Sequence, residues 1–96
     1  MKKIEFTMVE VGGKQVSTKD ILCDVLEFRG KDGITMKEMR KRMRLIGKLE
    51  DAANGYVELD DSEVEKLHQL IEVQPWNVVD RALVDLADYI DALHGS

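Results

Sequence analysis

Ninety-six residues with 44% apolar content, a single cysteine and a formal net charge of −5 describe a chain able to bury one thin core. They exclude an intrachain disulfide framework and a cysteine metal cluster. No apolar run approaches the roughly 20 residues of a membrane span, and Met1-Lys2-Lys3-Ile4 leads into Glu5 and Glu10 rather than an apolar signal segment, so a soluble, cytoplasmic protein is expected.

A single domain over residues 1–96 is expected, with a β-hairpin in 1–16 and a helical part in 17–96. Residues 3–11 alternate as a strand, with Ile4, Phe6 and Met8 against Glu5 and Thr7. Gly12-Gly13 supplies a two-residue turn, and Lys14-Gln15-Val16 returns. Two strands alone are marginal in water, so the hairpin must lie on helices or pair with another chain.

Ser17 caps a first helix with Asp20 in its first turn and Ile21, Leu22, Val25, Leu26 and Phe28 on its apolar face. It is expected to run through Arg29 and stop at Gly30 and Gly33. Thr35 and Glu38 form a capping-box signature for a second helix. There Met36, Met39, Met43, Ile46 and Leu49 recur at three- and four-residue steps. These methionines read as core, the alternative being an exposed, adaptable protein-binding groove. Asn54-Gly55 marks the stop, and Gly47 leaves open a break into two helices.

Tyr56–Leu59 reads as an extended link. Asp60 and Glu63 then cap a third helix with Val64, Leu67, Leu70 and Ile71 inside, closed by Pro75. Asn77 is expected to cap a fourth helix with Asp80 in its first turn. Val79, Ala82, Leu83, Leu86, Ile90 and Leu93 would line its buried side. Trp76 reads as a wedge between packed helices or, alternatively, an interface anchor. The fold expected is α+β, mostly α-helical: an N-terminal hairpin followed by about four helices in a small bundle.

Charge is distributed unevenly along these elements. Residues 1–50 carry +4 and residues 51–96 carry −9. Between Met36 and Lys48, six bases face one acid, Glu38. Such a chain is built to meet opposite charge, its own or a partner's. The basic helix is expected to pack with the acidic C-terminal pair, satisfying part of the split internally.

No catalytic constellation is evident. Ser17, Cys23, His68 and His94 are scattered, and no motif joins them. Asp80, Asp85, Asp88 and Asp91 lack the closely spaced acids and glycine turn of a calcium loop, and read as a solvated helix face. No enzyme activity, cofactor, metal, small-molecule substrate or membrane partner is expected.

Two resemblances stand beside this reading. The segment from Phe28-Arg-Gly-Lys-Asp-Gly33 through Ile34–Met39 to Asn54-Gly-Tyr-Val-Glu-Leu59 resembles winged helix-turn-helix regulators. That likeness implies DNA binding through Lys37, Arg40, Lys41, Arg42, Arg44 and Lys48, with a recognition helix near Leu45–Ala53. It requires a turn near Gly47, and that stretch offers no Asn, Gln or Arg for base edges. Met43-Arg-Leu-Ile-Gly-Lys-Leu-Glu-Asp-Ala52, followed by Tyr56–Leu67, Pro75-Trp76 and an acidic terminal helix, resembles small acidic proteins of tailed-phage and prophage gene clusters. This second resemblance implies an accessory or assembly protein in a bacterial host.

The function expected is therefore a non-enzymatic interaction or assembly protein. One charged end of the chain would meet the other end of a neighbour, or a partner protein, through Lys37, Arg40, Lys41, Arg44, Lys48 and Trp76. The alternatives are the DNA-binding regulator and an inhibitor that presents its acidic helices as a nucleic-acid mimic.

Overall fold

The computed structural model describes residues 1–28 and 33–95. Among them the chain runs β1 (Lys2–Glu5), β2 (Met8–Val11), β3 (Lys14–Ser17), α1 (Thr18–Glu27), α2 (Met36–Asp51), β4 (Tyr56–Leu59), α3 (Asp61–Val73) and α4 (Arg81–Gly95). The architecture is α+β and mostly helical, an N-terminal β region followed by four helices among the described residues, as the sequence predicts.

The long first strand expected from 3–11 is in fact two. Phe6 and Thr7 break it: the Phe6 N–H donates to Gly55 O and the Thr18 N–H donates to Thr7 O, each at 2.8 Å. The first piece, β1, pairs antiparallel with β4, with Ile4 opposite Val57. The second piece, β2, makes the predicted hairpin with β3, with Val9 opposite Val16. Its turn glycines have φ of 60° and 83°, the left-handed values a primed turn demands. Tyr56–Leu59 is thus a strand and not a link. Buried Val57 and Leu59 flank exposed Glu58, the period-two pattern of a half-buried strand.

Each helix start is held by a side-chain oxygen. Ser17 Oγ accepts from the Lys19 N–H at 3.1 Å, and Thr35 Oγ1 from the Glu38 N–H at 3.1 Å. At α3 the capping box is complete: Asp60 Oδ1 accepts from the Glu63 N–H at 2.8 Å, and Glu63 Oε1 from the Asp60 N–H at 3.0 Å. At α4 the entry residue is Asp80 rather than Asn77. Asp80 Oδ1 accepts from the Ala82 N–H at 2.9 Å, while Oδ2 accepts from the Gly12 N–H at 3.2 Å. One carboxylate therefore starts α4 and holds the hairpin tip. Val79, expected inside, precedes the helix, escapes its periodicity and is fully exposed.

Helix α1 ends at Glu27, with Phe28 as an exposed C-cap rather than a core residue. The expected continuation through Arg29 to Gly30 lies outside the described residues. Helix α2 runs unbroken through Gly47 and ends at Asp51, ahead of the expected Asn54-Gly55 stop. Gly55, with φ of 81°, instead forms the turn into β4.

The core gathers Ile4, Leu22, Leu26, Leu49, Leu59 and Leu67, each at most 1% exposed, with Ile90 from α4. Full burial of each such side chain contributes about 1.5–3 kcal/mol. Helix α1 is central: it packs on α2 and α3, and α3 packs in turn on α4.

Candidate functional site

Within the basic run of α2, the structure separates a structural base from the free ones. Arg42 is turned inward and only 8% exposed. Its Nη1 donates to the carbonyls of Leu26, at 3.4 Å, and of Phe28. These oxygens close α1, where helical carbonyls lack intrahelical donors. Arg42 Nε donates to Glu38 Oε2 at 2.9 Å, and Lys66 Nζ donates to Glu38 Oε1 at 2.9 Å. Burial pushes the Glu38 carboxyl up, but the hydrogen bonds from Arg42 and Lys66 outweigh it and hold the group below the ordinary glutamate value. Glu38 thus binds α2 to α3 instead of completing a capping box at Thr35.

Helix α2 packs on α1 rather than lying along the acidic C-terminal pair. It reaches α3 through ion pairs, Glu38–Lys66 and Lys48–Glu63, the latter at 2.7 Å. Of the predicted partner-binding bases, Lys48 is therefore already engaged. Lys41, Arg44 and Lys48 line an open cleft of about 300 Å³ between α2 and the start of α3. Lys37, Arg40, Lys41 and Arg44 are exposed and make no ion pair with any described residue.

The methionines correct the expectation of a core stripe. Met36, Met39 and Met43 are 58%, 40% and 60% exposed, while the buried stripe of α2 is Arg42, Leu45, Ile46 and Leu49. Helical geometry explains the displacement. At 3.6 residues per turn, Met36, Met39, Met43 and Gly47 form a ridge beside the buried stripe, not within it. Arg40 and Arg44 lie one position further round, on the outer flank of that ridge. The surface offered is soft, polarizable and apolar, edged by Arg40 and Arg44, neither of which pairs with an acid among the described residues.

Trp76 is exposed and does not wedge between helices. It lies in the 74–80 connection, where it lines two shallow grooves of about 320 and 460 Å³. Gln74 lines both, and its Oε1 is buried without a hydrogen-bond donor among the described residues. Exposed Val73, Val78, Val79 and Val84 surround this connection. The exposed apolar residues of 73–84 carry no helical or strand period, which is why sequence periodicity did not find the patch.

His68 Nε2 lies 2.8 Å from Asp91 Oδ1, and its ring stacks on His94 with centroids 4.6 Å apart. Burial, followed by the fields of Glu50, Asp20 and Glu27, pushes the Cys23 thiol up, away from a reactive thiolate. Among the described residues no group of three His, Cys, Asp or Glu side chains is placed to hold a metal ion. Of Asp80, Asp85, Asp88 and Asp91, Asp80 and Asp91 are engaged within the chain, and Asp85 and Asp88 are exposed. No helix among the described residues is long and apolar enough to cross a membrane. The uninterrupted α2 lacks the turn at Gly47 that the winged-helix resemblance requires.

Comparison with protein-family models, curated proteins and solved structures finds no match to this chain.

Proposed function

We propose that the chain is a non-enzymatic interaction or assembly protein that docks an acidic, amphipathic protein segment on the outer face of α2. One observation carries the reading: Met36, Met39 and Met43 stand exposed beside Arg40 and Arg44, neither of which is paired within the described residues. A folded protein gains nothing in stability from an exposed apolar ridge, and contiguous exposed apolar surface marks interaction sites. Methionine suits a contact surface that must adapt to its partner. The resemblance to small acidic accessory proteins of tailed-phage and prophage clusters supports the same role, in the cytoplasm of a bacterial host.

The test is fluorescence anisotropy of a labelled acidic peptide carrying leucines at helical spacing, run in parallel with a labelled DNA duplex. Docking on α2 predicts peptide binding that falls on Arg40→Glu/Arg44→Glu and also on the charge-neutral Met39→Ser/Met43→Ser. Duplex binding that falls steeply with salt and ignores the methionines would replace this reading with a nucleic-acid one.

A further inference from the structure

Apart from Met1, Met8 and Tyr89, the large exposed apolar side chains of the described residues fall into two stretches, 28–43 and 73–84. The first is the methionine ridge of α2, with Phe28 close by in sequence and cations at its edge. The second is Trp76 with Val73, Val78, Val79 and Val84. Its surroundings are net acidic: Glu72 and Asp80 line one groove beside Trp76, and Asp24 lines the other, where Lys14 is the one base. The chain thus carries two apolar patches of opposite electrostatic sign, on elements separated by α1.

We infer that the two patches fit one another between copies: the α2 ridge of one molecule docks on the Trp76 patch of the next. This rests on the reading of α2 as a docking face and names its occupant as a second copy of this chain. Charge complementarity selects that occupant. A ridge-to-ridge contact would oppose Arg40 and Arg44 to themselves, and a contact between two Trp76 patches would oppose the carboxylates of Glu72 and Asp24 to themselves. Only the crossed arrangement sets cation against carboxylate while covering both apolar surfaces. The net charge of −5 opposes any self-association. At physiological salt, however, charges more than about 8 Å apart are largely screened, so the groups at the contact dominate. A contact between two different patches leaves one of each free after every addition, so it repeats as a ring or an open chain rather than stopping at a two-fold dimer.

Two blocked variants test this in sedimentation velocity. Arg40→Glu/Arg44→Glu disables the α2 face and leaves the Trp76 patch intact. Val79→Ser/Val84→Ser does the reverse. All four positions are exposed, and far-UV circular dichroism establishes that each variant is folded. Wild type is expected to gain mass with concentration up to about 1 mM, enough to register a millimolar Kd. Each variant alone should associate at least about tenfold more weakly. Mixed in equal amounts, the variants should form a 1:1 pair that grows no further, since each supplies the face the other lacks. The inference is overturned if wild type stays monomeric throughout, or if wild type associates and the mixture does not. Acidic-peptide binding by a monomeric wild type would leave the α2 docking face standing and remove only its assignment to a second copy.

Discussion

Replacing Arg42 by alanine should cost far more stability than replacing any neighbouring base. The change strips the Leu26 and Phe28 carbonyls and one Glu38 oxygen of their donor. Removing one partner of a buried ion pair typically costs about 3–5 kcal/mol. Here Glu38 keeps Lys66, and its side chain is 22% exposed, so water recovers part of the loss. The expected cost is about 2–3 kcal/mol. A chain of 96 residues has a total stability of about 5–14 kcal/mol, so this is a large share of it. Urea unfolding followed at 222 nm should show the midpoint falling without a change in slope. Tm should drop by about 10–20 °C. Arg40→Ala and Arg44→Ala, on the exposed flank, should stay within about 0.5 kcal/mol of wild type. Arg42→Met keeps the aliphatic stem and separates packing from hydrogen bonding. A loss below about 1 kcal/mol for Arg42→Ala, or an equal loss at Arg44, would refute the assignment of Arg42 as the clasp between α1 and α2.

Three further outcomes follow from the same geometry. Gly47→Ala should stabilise the protein by about 1 kcal/mol, since Gly47 lies inside a continuous helix and an added Cβ would meet nothing within 4 Å; a fall in Tm would contradict an unbroken α2. Glu38→Gln should destabilise at neutral pH. Because the folded carboxyl sits below its ordinary value of 4.5, its contribution is present above that value and lost as pH falls through the lowered one. The gap between wild type and Glu38→Gln should therefore close below about pH 4.5 in acid titrations of stability, and a gap of constant size down to the lowest pH would be inconsistent with this. Asp80→Ala should cost about 1–2 kcal/mol as a lost helix cap and should speed hydrogen exchange at the Gly12 amide; Asp85→Ala should do neither, and equal protection of Gly12 in both variants would sever the proposed link between hairpin tip and α4.

Sequence and structure agree where a local rule acts alone. Ser17, Thr35 and the Asp60/Glu63 box were legible because a cap is decided by a few neighbouring residues. The Gly12-Gly13 turn was legible for the same reason. The partner of β1 was not, because pairing of residues 2–5 with 56–59 depends on tertiary contact, and four residues of alternation at Tyr56–Leu59 are too few to announce a strand. The methionine ridge was misplaced because α2 carries two stripes side by side, and Ile46 and Leu49 extend both periods. Arg42 tips the choice only when its burial is seen, and sequence rules place arginine outside. At the candidate site, the bases were legible as a cluster. Which of them remain free was not, since that depends on where Glu38, Glu63 and Lys66 fall in space.

The return of β1 to β4 also sets the order in which the chain can assemble. Ile4 is completely buried, yet its neighbours across the sheet lie more than fifty residues later in the sequence. Lys2 Nζ reaches Leu93 O at 2.6 Å, and the Glu5 N–H reaches Tyr89 Oη at 2.9 Å, so the same strand also waits for α4. The β2–β3 hairpin and each helix close over short loops and form early, whereas this long closure must be met before its contacts repay the lost chain entropy. During synthesis, which proceeds from the N-terminus at about 5–20 residues per second, β1 is made well before β4 and α4 and must wait for both to find its place. Until β4 and α4 arrive, Ile4 and the open edge of residues 2–5 face solvent, and that interval is when the chain is most open to pairing with the wrong strand.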